Sequence, residues 1–87
     1  MKSSTLPSFW EEYHSLPLEI RRAARKAYHL WSNNLFHPSL HFKCINRDEE
    51  IWSVRITRNY RAIGILQGDE ITWFWIVIHD NYEVFFG

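Results

Sequence analysis

A single cysteine, Cys44, stands in the 87-residue chain, so no disulfide can form within it. A domain this small without staples must hold together on its apolar core, and a reducing cytoplasm is the expected compartment. Three glycines, at 64, 68 and 87, are too few and too scattered for a glycine-rich phosphate loop. No apolar run is long enough to cross a bilayer. The opening MKSSTLPSF carries one lysine and no apolar stretch, so it reads as neither a signal peptide nor a membrane anchor. Charge of one sign is lacking as well: ten basic residues balance ten acidic ones. An autonomous nucleic-acid binder is usually plainly basic, so any such contact must come from a local cluster of cations. The five histidines add positive charge only in mild acid or beside phosphate. His37 and His41 are four apart, but Pro38 prevents the helix that would make them a metal pair. With one cysteine and no second ligand cluster, neither a metal nor a cofactor is expected. Cys44 has no evident base beside it, which argues against a nucleophilic role.

Aromatic residues are what the chain has in excess: five Trp, six Phe and four Tyr. Each buries a large area, which suits a small single domain spanning 1–87. Ser8-Phe9-Trp10-Glu11 reads as a capping box opening a short helix, with Ser8 at the N-cap. Pro17 opens a second helix, where Ile20, Ala23, Ala24, Ala27, Leu30 and Trp31 recur at helical spacing. Arg21, Arg22, Arg25, Lys26 and His29 lie mostly outside that stripe, and Asn33-Asn34 ends the helix. After His37-Pro38-Ser39, the segment Leu40–Ile45 alternates, with Leu40, Phe42 and Cys44 inward. In Ile51–Ile63, Trp52, Val54 and Ile56 point one way and Ser53, Arg55 and Thr57 the other. Arg58-Asn59 makes a tight turn, and a strand returns to about Leu66. Gln67-Gly68-Asp69 turns again into Ile71–His79, a strand apolar on both faces and so expected to be central or covered on both sides. The fold class is therefore α+β: an N-terminal αα-hairpin packed on a four-stranded antiparallel sheet. The tail holds Tyr82, Phe85 and Phe86, a last half-strand or a partner-binding extension.

With the helices over the Leu40/Phe42/Trp52/Val54/Ile56 face, the other face collects His41, Lys43, Ser53, Arg55 and Arg61. Strict alternation along the last strand puts Trp73, Trp75 and His79 together. Cations beside exposed indoles are how single-stranded nucleic acid is held, through phosphate contacts and base stacking. Guanidinium donors also match phosphate geometry. Each residue has a plain structural alternative. The tryptophans could pack under a loop or a partner. Arg55 and Arg61 could pair with Glu49, Glu50 or Asp69, Lys43 could be simply solvated, and His79 could bond a backbone carbonyl.

The segments HPSLHFK, SVRITRNYRAI and a final strand ending in His79 with Tyr82 three residues on, in this order and spacing, resemble the RelE/ParE superfamily of toxins from toxin–antitoxin modules. The likeness runs from about Phe9 to Glu83. Its implied fold, helices on an antiparallel sheet, agrees with the reading from periodicity. Many members begin with a strand; Met1–Pro7 is short and ends in proline, so that strand is expected to be absent or vestigial.

The resemblance implies one of two activities. RelE-like members cut messenger RNA in the ribosomal A site without metal, whereas ParE-like members poison DNA gyrase. Lys43, Arg55, Arg61, His79 and Tyr82 stand where the ribonuclease branch places its functional residues, which favours the endoribonuclease. It implies attack of a ribose 2′-OH on the adjacent phosphate, with His79 as general acid or base, the three cations stabilising the phosphorane, and Tyr82 stacking or assisting proton transfer. Trp73, Trp75 and His41 are the implied RNA contacts. The implied partners are a cognate antitoxin, forming a toxin–antitoxin hetero-oligomer, and the ribosome with its messenger RNA; Val84-Phe85-Phe86 and the helix hairpin are the surfaces offered to the antitoxin. Two features point elsewhere: the neutral charge, and Asp80 and Glu83 beside His79. They keep open a catalytically weak homologue acting as an antitoxin-binding module.

Overall fold

A computed structural model describes residues 1–78. In chain order these form β1 (Lys2–Thr5), α1 (Pro7–Ser15), α2 (Leu18–Asn33), a 3-10 turn (Pro38–Leu40), β2 (Lys43–Asn46), β3 (Ile51–Thr57), β4 (Tyr60–Gln67) and β5 (Glu70–Ile78). The sheet runs β1-β5-β4-β3-β2. The expected α+β class holds: β2 to β5 are the antiparallel meander, with the two helices on one face.

A fifth strand is present in addition to the four read from periodicity, a full one rather than absent or vestigial. β1 pairs parallel to β5, Ser3 beside Ile71 and Thr5 beside Trp73, with Lys2 N–H donating to the Asp69 carbonyl and Leu6 N–H to that of Trp73. Nothing apolar alternates in KSST. What holds the strand is the backbone ladder and three hydroxyl contacts: Ser3 with Tyr28, Ser4 with Thr72, and Thr5 accepting from the Trp10 indole. A strand held by polar contacts leaves no period-two hydrophobic signal. β5 thereby lies between β1 and β4, the interior position its two apolar faces call for.

Two other local expectations change. Pro7, not Glu11, sets the start of α1: it occupies the first helical turn, where its missing N–H costs nothing, and Leu6 stands at the N-cap without a side-chain cap. The Ser8 hydroxyl leaves the helix end and donates to the Phe74 carbonyl at 2.7 Å, tying α1 to β5. Leu40 and Phe42 are both buried as the alternation requires, but β2 begins only at Lys43. Pro38–Leu40 is instead a 3-10 turn: the His37 ring nitrogen accepts from the Ser39 N–H, and His41 closes the turn with a left-handed backbone, φ 46°.

The core lies between α2 and the sheet, where Ala27, Trp31, Leu40, Phe42, Val54, Ala62, Ile71 and Trp73 form one buried cluster. Trp31 meets Phe42 and Trp73 edge-on, at centroid separations of 5.7 and 5.5 Å. Such a ring contributes roughly 4–6 kcal/mol of burial before conformational entropy is subtracted, from ~150–250 Å² at ~25 cal/mol per Å². Gly64 faces Trp73 across the ladder. A Cβ there would stand 2.8 Å from both Trp73 Cε3 and Ile71 Cγ1, closer than carbon atoms tolerate. Glycine is thus required by packing, since only a bare backbone admits the indole.

Gly64→Ala should therefore overpack the core and cost about 1–3 kcal/mol. Urea denaturation followed by tryptophan fluorescence measures this, and an unchanged midpoint would show that Trp73 and Ile71 move aside freely.

Candidate functional site

Register assigns each candidate residue to a face. Paired residues on neighbouring strands share a face, so Lys43, Ser53, Ile63 and Trp75 form one row across the sheet, and Arg55, Arg61 and Val77 the next. Both rows lie opposite the helices, because the alternating partners Trp52, Val54 and Ala62 pack into the helix-side core. Lys43, Arg55 and Arg61 are thus brought to one face, in rows about 7 Å apart. Ser53, Ile63 and Val77 are buried among them, Arg55, Arg61 and Trp75 half-buried, and Lys43 exposed.

Trp73 and Trp75 do not share this face, contrary to strict alternation. Ile63 pairs with Trp75 while Gly64 pairs with Trp73, so Phe74 is an extra residue in β5, a β-bulge. The bulge reverses the parity: Trp75 keeps to the cationic rows, while Trp73, 4% exposed, is taken up by the core. Trp73 therefore presents no ring face to a base. His41 is exposed in the loop before β2 rather than on a strand. His79 and Tyr82 lie outside the described residues, as do Val84, Phe85 and Phe86.

One contributor escaped the sequence pattern. β2 pairs with β3 only as far as Ser53, so the next residues have no strand partner on that side among the described residues. There Arg55 and Thr57 border a hollow of about 410 Å³ together with Lys26 from α2 and Ser39. Nothing in the spacing of Lys26 connects it to Arg55; only the packing of α2 across β3 does. Among the described residues, no three His, Cys, Asp or Glu side chains gather as they would to hold a metal ion. No helix among them is long and apolar enough to cross a membrane.

The sequence of residues 18–84 matches the family model of the ParE-like toxin domain. The chain belongs to this family. No curated protein matches it in sequence. In structure, the toxin domain is similar to a RelB–RelE antitoxin–toxin complex from Methanococcus jannaschii, at 18% identity and TM-score 0.74 over 97% of this chain and 99% of the other. It is similar too to a YoeB/ParE toxin from Agrobacterium tumefaciens, at 17% identity and TM-score 0.69 over 91% and 99%. A third likeness is to the toxin–antitoxin complex RelBE2 from Mycobacterium tuberculosis, at 16% identity and TM-score 0.68 over 88% and 95%. At such identities the likeness bears on the fold, which is that of the RelE/ParE superfamily.

Within the toxin domain the two hairpin arginines have different duties. Arg55 and Arg61 sit directly opposite each other, an arrangement that like charges disfavour. Arg61 Nη1 reaches the carbonyls of Thr57, Arg58 and Tyr60 at 2.7, 3.2 and 3.1 Å, so the guanidinium is drawn into the β3–β4 turn and stiffens it. The carboxylate of Glu50, one proposed partner for these arginines, accepts instead from the Trp52 indole at 3.2 Å. Among the described residues Arg55 has neither a hydrogen-bonding side-chain partner nor a carboxylate. Arg61 thus builds the hairpin that carries Arg55, and Arg55 is the cation available to a ligand.

Arg61→Gln should accordingly lower stability by about 1–3 kcal/mol, the usual worth of hydrogen bonds from a charged donor. Arg55→Gln should stay within about 0.5 kcal/mol of the unaltered protein. Equal losses in paired denaturation curves would contradict this division.

Proposed function

We propose that the toxin domain is a ribosome-dependent endoribonuclease that cleaves messenger RNA without a metal. What supports this reading above all is the register that gathers Lys43, Arg55 and Arg61 on one sheet face. A phosphodiester cut by internal attack needs little more than that face and a proton shuttle. The ribose 2′-OH loses its proton and bonds to phosphorus, the bond from phosphorus to the 5′ oxygen breaks, and that oxygen leaves as a hydroxyl. The products are a cyclic phosphate and a 5′-OH end. Arg55 and Lys43 meet the negative charge on the phosphorane, and Arg61 adds its charge while fixing the turn. His79 exchanges the proton as acid or base, since histidine's ordinary pKa lies near neutrality. Tyr82 stacks on a base or assists the transfer. Trp75 and His41 are the remaining RNA contacts; Trp73 drops out because the core holds it. The partners are a cognate antitoxin, in keeping with two structural neighbours that are antitoxin–toxin complexes, and the translating ribosome in the cytoplasm.

A second reading has its own observation. Arg61 is engaged by three turn carbonyls, and Asp80 and Glu83 flank His79 in sequence, where they would repel a phosphate. A domain so arranged could serve as an antitoxin-binding module without cutting RNA.

Induction of the chain in cells, with mapping of messenger RNA 5′ ends, separates the readings. New in-frame cuts that vanish when translation is blocked are expected. Loss of His79 in His79→Ala should reduce cutting by about 10²–10⁴-fold, and Arg55→Ala by about 10²–10³-fold, the usual worth of one group stabilising an oxyanion. Normal growth at good expression would favour the binding module. Growth arrest with DNA damage and no cuts would point to gyrase.

A further inference from the structure

On the helix side of the sheet, away from the cationic rows, a cleft of about 410 Å³ opens between β1, α1 and α2. Its construction is not that of an incidental packing gap. Phe9 and Tyr13 line one wall and Trp73 another, while Trp10 and Tyr28 stand at the rim, 43% and 48% exposed. Large rings left this exposed are ordinarily held by nothing. Here both are pinned to β1: the Trp10 indole donates to Thr5 Oγ1 at 2.8 Å, and the Tyr28 hydroxyl bonds Ser3 Oγ at 2.9 Å. Each ring is therefore tethered before any ligand arrives, which lowers the ordering cost of binding.

The charge in the cleft comes from Arg25 on α2; His29, one turn further, also lines it, and among the described residues no carboxylate does. Arg25 is itself positioned, its Nε donating to the hydroxyl of buried Tyr13 at 2.8 Å. That bond uses one edge of the guanidinium and leaves the terminal nitrogens without a carboxylate among the described residues. One turn earlier, Arg21 Nε is buried with no hydrogen-bond partner among the described residues, and the Trp73 indole N–H likewise lacks one among them.

We propose that the cleft is a binding site for a small planar aromatic carboxylate. The ring would lie among Trp10, Tyr28 and Phe9, where offset and edge-on contacts between rings are favourable. The carboxylate would meet the free fork of Arg25, whose parallel N–H groups match its two oxygens. The volume falls within the range of small-molecule sites, about 300–1,000 Å³, and an aromatic lining with a few placed polar groups is their usual make-up. The site is separate from the cationic face, so it stands whether or not the domain cuts RNA.

Indole-3-acetate is a suitable probe, titrated into the isotopically labelled chain while amide and indole N–H resonances are followed by NMR. Saturable shifts are expected at Ser3, Thr5 and Tyr28 and at the indole N–H groups of Trp10 and Trp73. Indole-3-acetamide, of the same shape without the charge, should bind at least about tenfold more weakly. Arg25→Met should weaken the acid by a similar factor and leave the amide unaffected. Should that variant fail to fold, the comparison of acid with amide on the unaltered chain decides alone. Equal binding of acid and amide would overturn the proposal and mark a plain apolar groove for a peptide segment or a second copy. Shifts that do not saturate at millimolar probe, or that fall outside the cleft, would overturn it too.

Discussion

Trp73 lies over Gly64, and much of the structure follows from that contact. A full side chain at position 64 would exclude the indole from the sheet surface. With the indole seated there, Trp31 meets it edge-on from α2 and Phe42 from the segment before β2, so one ring locks helix, sheet and connector together. The bulge at Phe74 is the counterpart of this seating. It lets β5 send Trp73 to the helix side and still send Trp75 to the other, which an unbroken strand cannot do with residues two apart. The core and the placement of Trp75 among the cationic rows are thus set by the same irregularity.

The pairing of Arg55 with Arg61 poses the opposite kind of constraint. Two guanidiniums placed directly across a ladder repel, and neither would be expected at such a position for stability alone. The repulsion is eased because Arg61 turns its charge onto carbonyl dipoles of the adjoining turn. The hairpin then holds Arg55 on a rigid support among the cationic rows. A site built on strands keeps its geometry better than one built on a loop.

Much of this was legible in the sequence. The period-two pattern of Trp52, Val54 and Ile56 against Ser53, Arg55 and Thr57 reports which face the helices cover, because one-sided burial imposes alternation. The turn at Arg58-Asn59 and the meander are read off the same way. β1 was hidden because Ser3, Ser4 and Thr5 hold it through hydroxyls and backbone, which carry no hydrophobic period. The separation of Trp73 from Trp75 was hidden for a different reason: a bulge is one residue of register, and register is settled by partners far away in sequence. The Ser8 hydroxyl has two acceptable uses, a helix cap or a strand carbonyl, and only the tertiary fold brings Phe74 close enough to decide. Lys26 joins Arg55 only through helix packing, a contact that local spacing cannot report.

The neutral balance of the chain is compatible with a local cationic face, and for the acids of the β2–β3 loop and of α1 the reason is separation. Asp48, Glu49 and Glu50 occupy the loop joining β2 to β3, at the Ile51 end of the strand. Arg55 is four residues further along, about 13 Å at strand spacing. That exceeds the Debye length of about 8 Å at physiological salt, so exposed acids in the loop barely weaken the attraction of Arg55 for an anion. Glu11 and Glu12 are exposed on α1, which packs on the other side of the sheet. Net charge sums these regions as though they shared one surface, whereas Arg55 stands with Lys26 across the hollow and Lys43 one row away. A chain with no net charge can therefore present a cationic face where neighbouring acids are set apart by a strand length or by the sheet itself, as those of the β2–β3 loop and of α1 are.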